Sequence, residues 1–80
     1  MTRNEIIERL TPVARKIFQK EDLVLTDDMS AQTEEAWTSL AFMQLLTAVE
    51  EQFGFKFKMM ELLQLETMGD IINTISSHLD

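Results

Sequence analysis

Apolar residues recur along this chain in helical steps. Ile6, Leu10, Val13 or Ala14, and Ile17 fall three or four residues apart, the spacing that puts side chains on one face of a helix. Thr2 followed by Glu5 is a capping-box pattern at the start of that stripe. Pro12 lacks a backbone donor and its ring crowds the preceding turn, so a kink or split is expected near Thr11. The unbroken stripe favours one bent helix over roughly residues 3–19. A second helix is predicted from Ser39 to Phe53, with Leu40, Met43, Leu46 and Val49 or Phe53 inward and Gly54 as its left-handed terminator. Phe55-Lys56-Phe57 alternates like a short extended link, and Met59 to Leu63 suits a turn or two of helix. Thr67, with Asp70 three residues on, caps a last helix through Leu79 whose stripe is Ile71, Ile72, Ile75 and Leu79. Gly69 in its first turn is expected to weaken it slightly.

Residues 20–38 form a long acidic connection in which Leu23, Leu25, Met29 and Trp37 look like anchors into the core, Trp37 as packing. A loop of this length in a compact domain usually has a function or its own anchors. No repeat or linker interrupts the pattern. The expected fold is all-α: a four-helix bundle of three longer helices and one short one, with the long loop after the first. Residues 1–80 are expected to form one domain.

Composition narrows the function. Eighty residues bury little more than roughly 60% of their unfolded surface, which makes a cleft walled by several catalytic side chains hard to build. There is no cysteine, and the one histidine, His78, lies near the C-terminus. Thiolate chemistry, a His-based metal site and a histidine base are therefore not expected, and neither catalytic nor metal-ligating residues are assigned. The charged start and the lack of a long apolar run point to a cytoplasmic protein without stable membrane insertion. Net charge is −7, split between +3 over residues 1–20 and −10 over residues 21–80. An acidic body repels nucleic acid and favours basic protein partners, while the basic start suits a helix face that pairs with the acidic remainder. Asp27-Asp28 and Glu34-Glu35 lack the ligand spacing of a calcium loop and suit a solvated cluster.

One constellation stands out, Glu34-Glu35-Ala36-Trp37-Thr38-Ser39-Leu40. A long loop delivers a serine to the first turn of an amphipathic helix, where free amides and the positive dipole end favour an attached anion. Such a site gives a phosphodiester ~0.3–1 kcal/mol. From the periodicity alone, Ser39 or Thr38 as a plain helix cap is the favoured reading, since Ser and Thr lead at this position. No neighbouring base activates Ser39 as a nucleophile.

Thr38-Ser39-Leu40, an apolar-patterned helix, and Val49-Glu50-Glu51-Gln52-Phe53-Gly54 resemble the acyl carrier protein family's Asp-Ser-Leu helix ending in Glu-Glu-x-Phe-Gly. Leu65-Glu66-Thr67-Met68-Gly69-Asp70-Ile71-Ile72 resembles the family's Thr-Val-x-Asp-hydrophobic opening of the last helix, and the likeness extends from about Ile6 to Leu79. It implies a four-helix bundle with Ser39 esterified by 4′-phosphopantetheine from coenzyme A, carrying acyl groups as thioesters, without being an enzyme. It also implies a monomer whose partners are a phosphopantetheinyl transferase and acyl-loading, acyl-transfer or synthase enzymes. Those partners would dock along the second helix, at Thr38, Leu40, Ala41, Gln44, Glu50 and Glu51. Met43, Leu46, Phe57, Leu62, Leu63 and Ile75 are the implied cargo wall, each equally explicable as core.

Three positions depart from the family pattern. Thr38 stands where the family has Asp, and Ala41 and Gln44 stand where acids commonly follow on the exposed face. Docking by charge should weaken at the serine end, mainly through on-rate. A specialised carrier for a dedicated lipid, polyketide or envelope pathway is expected. The alternatives are a peptidyl or aminoacyl carrier, including D-alanyl, or an unmodified helical interaction domain.

Overall fold

The computed structural model describes residues 1–80 and contains four helices: α1 (Arg3–Phe18), α2 (Ser39–Phe53), α3 (Met59–Gln64) and α4 (Met68–Leu79). α1 packs against both α2 and α4. The core between them gathers Ile6, Leu10, Leu45, Val49, Ile71 and Ile75, all fully buried. No helix is long and apolar enough to cross a membrane.

α1 begins with the predicted capping box. Thr2 Oγ1 accepts from the Glu5 N–H at 3.2 Å, and the Thr2 N–H donates to Glu5 Oε1 at 2.9 Å. The single helix favoured by the apolar stripe is what forms: α1 runs through Pro12 without a split. Pro12 and Glu8 are both exposed, so the carbonyl that loses its donor faces water, and the ring takes no core position. The helix ends at Phe18, one residue before the expected limit, and Gln19 is its left-handed cap at φ 57°.

The 20–38 loop is held from both sides. Leu23, Leu25, Met29 and Trp37 are buried, as the pattern required. Arg3 pairs with Asp27, Lys20 pairs with Glu34, and Arg15 Nε donates to the Leu23 carbonyl at 2.8 Å. Three of the five cations at the chain's start thus tether the acidic segment, although exposed pairs contribute only about 0–1 kcal/mol each.

Backbone contacts fix the loop to α4. The Met68 N–H donates to the Met29 carbonyl at 2.8 Å and the Gly69 N–H to the Asp27 carbonyl at 3.0 Å. Loop carbonyls therefore satisfy two orphan donors of that helix. This gives Gly69 a stronger role than the slight weakening expected of it. A Cβ there would stand 2.9 Å from the Asp27 carbonyl oxygen, a backbone atom that yields only if the loop moves. Gly69→Ala is expected to cost about 1–3 kcal/mol in urea unfolding through this overpacking. Intrinsic helix propensity alone predicts a gain of up to about 1 kcal/mol, so a stabilised variant would contradict the contact.

The expected face of α2 holds at Leu46, Val49 and Phe53 and fails in its first two turns. Ala41, Leu45, Leu46, Val49 and Phe53 are buried, whereas Leu40 and Met43 are 69% and 62% exposed. Leu40, Ala41, Phe42, Met43, Leu45 and Leu46 crowd the first two turns with apolar residues, so periodicity did not discriminate between faces there.

α3 buries no residue completely and is held at its ends. The Lys58 N–H donates to Glu61 Oε1 at 2.7 Å, and His78 Nε2 of α4 lies 2.9 and 2.8 Å from the two Glu61 oxygens. The His78 ring stacks on Phe55, with centroids 4.2 Å apart. At the start of α4, Asp70 Oδ2 accepts from the Glu66 and Thr67 N–H groups at 2.9 and 3.0 Å. These bonds favour the ionised carboxylates. The Lys58 N–H, followed by His78, lowers the Glu61 pKa, and the Glu66 N–H chiefly lowers that of Asp70. A depressed folded-state pKa gives stability that is complete above the unfolded value and is lost as pH falls through the folded one. The melting temperature should therefore drop as pH falls below about 4. Glu61→Gln and Asp70→Asn should flatten that decline; variants as acid-sensitive as the parent would rule these two carboxylates out as its source.

Candidate functional site

The serine at the head of α2 is the site that the sequence singled out, and its local chemistry divides between two neighbours. Thr38 is the N-cap: its backbone is extended, its Oγ1 accepts from the Ala41 N–H at 3.1 Å, and its carbonyl accepts from the Phe42 N–H at 2.9 Å. Ser39, the first helical residue, is exposed, and its hydroxyl bonds to no protein group. The capping role open to either residue falls to Thr38, and Ser39 Oγ is left free.

The helix end is also left electropositive. α1, α3 and α4 each place a carboxylate in the first turn, from Glu5, Glu61 and Asp70, whereas α2 has none. Ala41 occupies the equivalent position. The Ser39 and Leu40 N–H groups have no backbone acceptor, so two donors and the dipole end remain for an anion on the serine. No base stands by to make Ser39 a nucleophile in its own right, since His78 is tied to Glu61 and Phe55 where α3 meets α4. This geometry fits a covalently held phosphodiester whose bond is made by another protein. The chain has no cluster of three or more metal-ligating side chains.

Ser39 stands on the rim of a groove of about 500 Å³. Ala31 and Gln32 from the long loop, Trp37 and Phe42 from around the serine, and Leu65 and Glu66 from before α4 line it. Trp37 and Phe42 stack at 5.9 Å between ring centroids and 20° between planes, and Phe18 lies 5.9 Å from Trp37 on the core side. Trp37 is thus the packing anchor expected of it and also a wall of this groove. Sequence reasoning singled out neither Phe42 nor Leu65. The available signal was an aromatic on each side of Ser39, at positions 37 and 42, the spacing of a side-chain pair that meets across a helix start.

The remaining expected site residues separate. Leu40 and Gln44 are exposed beside Ser39, but Ala41 is buried and packs the helix instead of offering a contact surface. Glu50 is turned inward: its Oε2 accepts from the Phe57 N–H at 2.8 Å and its Oε1 lies 3.9 Å from Lys56 Nζ, which secures the α2–α3 link. Glu51 is exposed and lines a second groove of about 540 Å³ between α1 and α2, with Val13, Lys16 and Met43. Among the expected cargo-wall residues, Leu46 and Ile75 are buried and Phe57 and Leu62 are half-buried. Met43 and Leu63, at 62% and 73% exposed, lie outside any interior wall because their helices turn those positions to solvent.

The chain matches the phosphopantetheine attachment site family over residues 8–75. It is 32% identical over 75 residues to an acyl carrier protein of Coprothermobacter proteolyticus, covering 80% of this chain and 92% of that one. Its fold superposes with a TM-score of 0.83 on the solution structure of a holo acyl carrier protein from Geobacter metallireducens. The two are 34% identical, and the match covers 91% of this chain and 84% of that one. A candidate acyl carrier protein from Mycobacterium tuberculosis shares the fold alone, at a TM-score of 0.79 and 19% identity, over 91% of this chain and 97% of that one. Members of this family are non-catalytic carriers that bear a covalent 4′-phosphopantetheine and interact with a phosphopantetheinyl transferase and acyl-handling enzymes. With its four helices and the free serine at the head of the second, the chain belongs to the acyl carrier protein family.

Proposed function

We propose that Ser39 is the attachment point of the 4′-phosphopantetheine and that the chain presents acyl groups to enzymes of a dedicated lipid, polyketide or envelope pathway. The observation that carries the attachment is the free Ser39 hydroxyl at the electropositive end of α2, which has no first-turn carboxylate, beside a threonine that performs the capping. The arm, once attached, supplies the terminal thiol that the cysteine-free chain lacks. The chain's own residues orient it: the Ser39 and Leu40 amides face the phosphodiester, and Thr38 keeps the helix start rigid. The base that takes the Ser39 proton belongs to the transferase.

The dedicated pathway is inferred from the character of the docking face. Leu40 and Gln44 are exposed there without a charge between them, and Glu50 is engaged by the Phe57 amide, which leaves Glu51 as the free acid of α2. A partner that relies on steering by acids near the serine finds few of them. Holo protein should therefore be loaded by the malonyl transferase of a general fatty-acid synthase at least about tenfold less efficiently in kcat/KM than that enzyme's own carrier, a deficit of about 1.4 kcal/mol. Equal loading would overturn the dedicated-pathway reading and leave attachment at Ser39 standing.

A further inference from the structure

Trp37 combines two properties that packing alone does not require. It is 7% exposed, yet its indole N–H donates to no protein group. No buried side-chain nitrogen or oxygen in the chain lacks a partner, so this N–H opens on solvent. Of the three surface concavities, Trp37 lines only the one beside Ser39. A nearly buried indole with an unspent donor, stacked on Phe42, thus forms the floor of a groove that starts at the serine.

We propose that this groove is a docking site for the pantoyl segment of the arm, with the Trp37–Phe42 pair as its platform. The inference rests on attachment at Ser39. The segment nearest the phosphate carries a quaternary carbon with two methyl groups, then a hydroxyl and an amide. The methyls match the apolar faces of Trp37, Phe42 and Leu65, which gain by leaving water together. The first carbonyl is an acceptor suited to the indole N–H, and the hydroxyl and amide N–H are donors suited to Glu66 across the groove. Gln32 Oε1 already accepts from Ser30 Oγ at 2.9 Å, which leaves its amide hydrogens for a second acceptor on the arm. The Glu66 carboxylate repels the phosphate, which stays at the rim on the Ser39 and Leu40 amides. The groove therefore orders the first part of the arm and leaves the thiol end outside.

The test uses the single tryptophan as its reporter. Isotope-labelled apo and holo protein, the latter verified by intact mass, are compared by NMR, with Ser39→Asp as a control that adds charge without an arm. The expected result is nuclear Overhauser contact between the two arm methyls and the Trp37 and Phe42 rings. The Trp37 indole cross-peak should also move in the holo form and stay at its apo position in Ser39→Asp. In holo Trp37→Phe, which keeps an aromatic floor but removes the donor, the methyl contacts to Phe42 should weaken. A verified holo protein without methyl–ring contacts, or with the same indole shift as Ser39→Asp, would overturn the groove assignment alone. Failure to gain the arm's mass would overturn it together with attachment at Ser39.

Discussion

Leu45→Ala is expected to cost about 2–5 kcal/mol, whereas Leu40→Ala, five residues away on the same helix, should change stability by less than about 0.5 kcal/mol. Leu45 is fully buried in the core shared by α1, α2 and α4, so truncation removes transfer energy and leaves a cavity that a short bundle closes only in part. Leu40 is 69% exposed and loses little. An 80-residue domain holds only about 4–12 kcal/mol in total, so the Leu45 variant should be close to unfolding at physiological temperature. Urea unfolding of the two variants measures the contrast. Similar losses from both would mean that α2 is rotated from the orientation described.

The second large effect separates the neighbours at the head of α2. Ser39→Ala is expected to abolish modification entirely and to leave stability within about 0.5 kcal/mol, because the hydroxyl makes no bond in the fold. Thr38→Ala should do the reverse. It removes the Oγ1 acceptor of the Ala41 N–H and should cost about 1 kcal/mol, while the serine still accepts the arm. Intact mass and urea unfolding on the same two variants give the comparison. A stability loss confined to Ser39→Ala, or modification lost only in Thr38→Ala, would reverse the roles assigned here.

What the chain reveals before folding depends on how far apart the interacting residues lie. The Thr2–Glu5 and Thr67–Asp70 boxes and the Gly54 terminator were legible because each concerns residues within one turn. The loop anchors were legible because Leu23, Leu25, Met29 and Trp37 are the large apolar residues of an acidic segment, with Val24, between two of them, alternating outward. The inward face of α2 was legible at Leu46, Val49 and Phe53 but not in the first turns, where Leu40, Phe42, Met43 and Leu45 offer more than one apolar stripe and only the neighbours of the helix choose between them. The need for glycine at position 69 was also hidden, since it arises from a carbonyl at residue 27. Glu50 illustrates the same limit at the site. As an acid near the end of α2 it suited a partner, but the fold brings the Phe57 amide to it.

The groove beside Ser39 combines both situations. Trp37 and Phe42 flank the serine in sequence, and their stacking follows from local geometry once Thr38 starts the helix. Ala31, Gln32, Leu65 and Glu66 arrive from the loop and from the residues before α4, brought in by the Ser30–Thr67 bridge and the Met29–Met68 backbone bond. The carbonyls that cap α4 therefore also shape the surroundings of the serine, so Gly69 bears on the site as well as on stability.

Intact-mass spectrometry of the folded protein, after incubation with coenzyme A and a broad-specificity phosphopantetheinyl transferase, tests attachment at Ser39 most directly. The predicted result is a gain of one phosphopantetheine, mapped to the peptide that contains Ser39 and absent from Ser39→Ala. A helical, well-folded protein that keeps its unmodified mass, or that gains the arm at another residue, would contradict it.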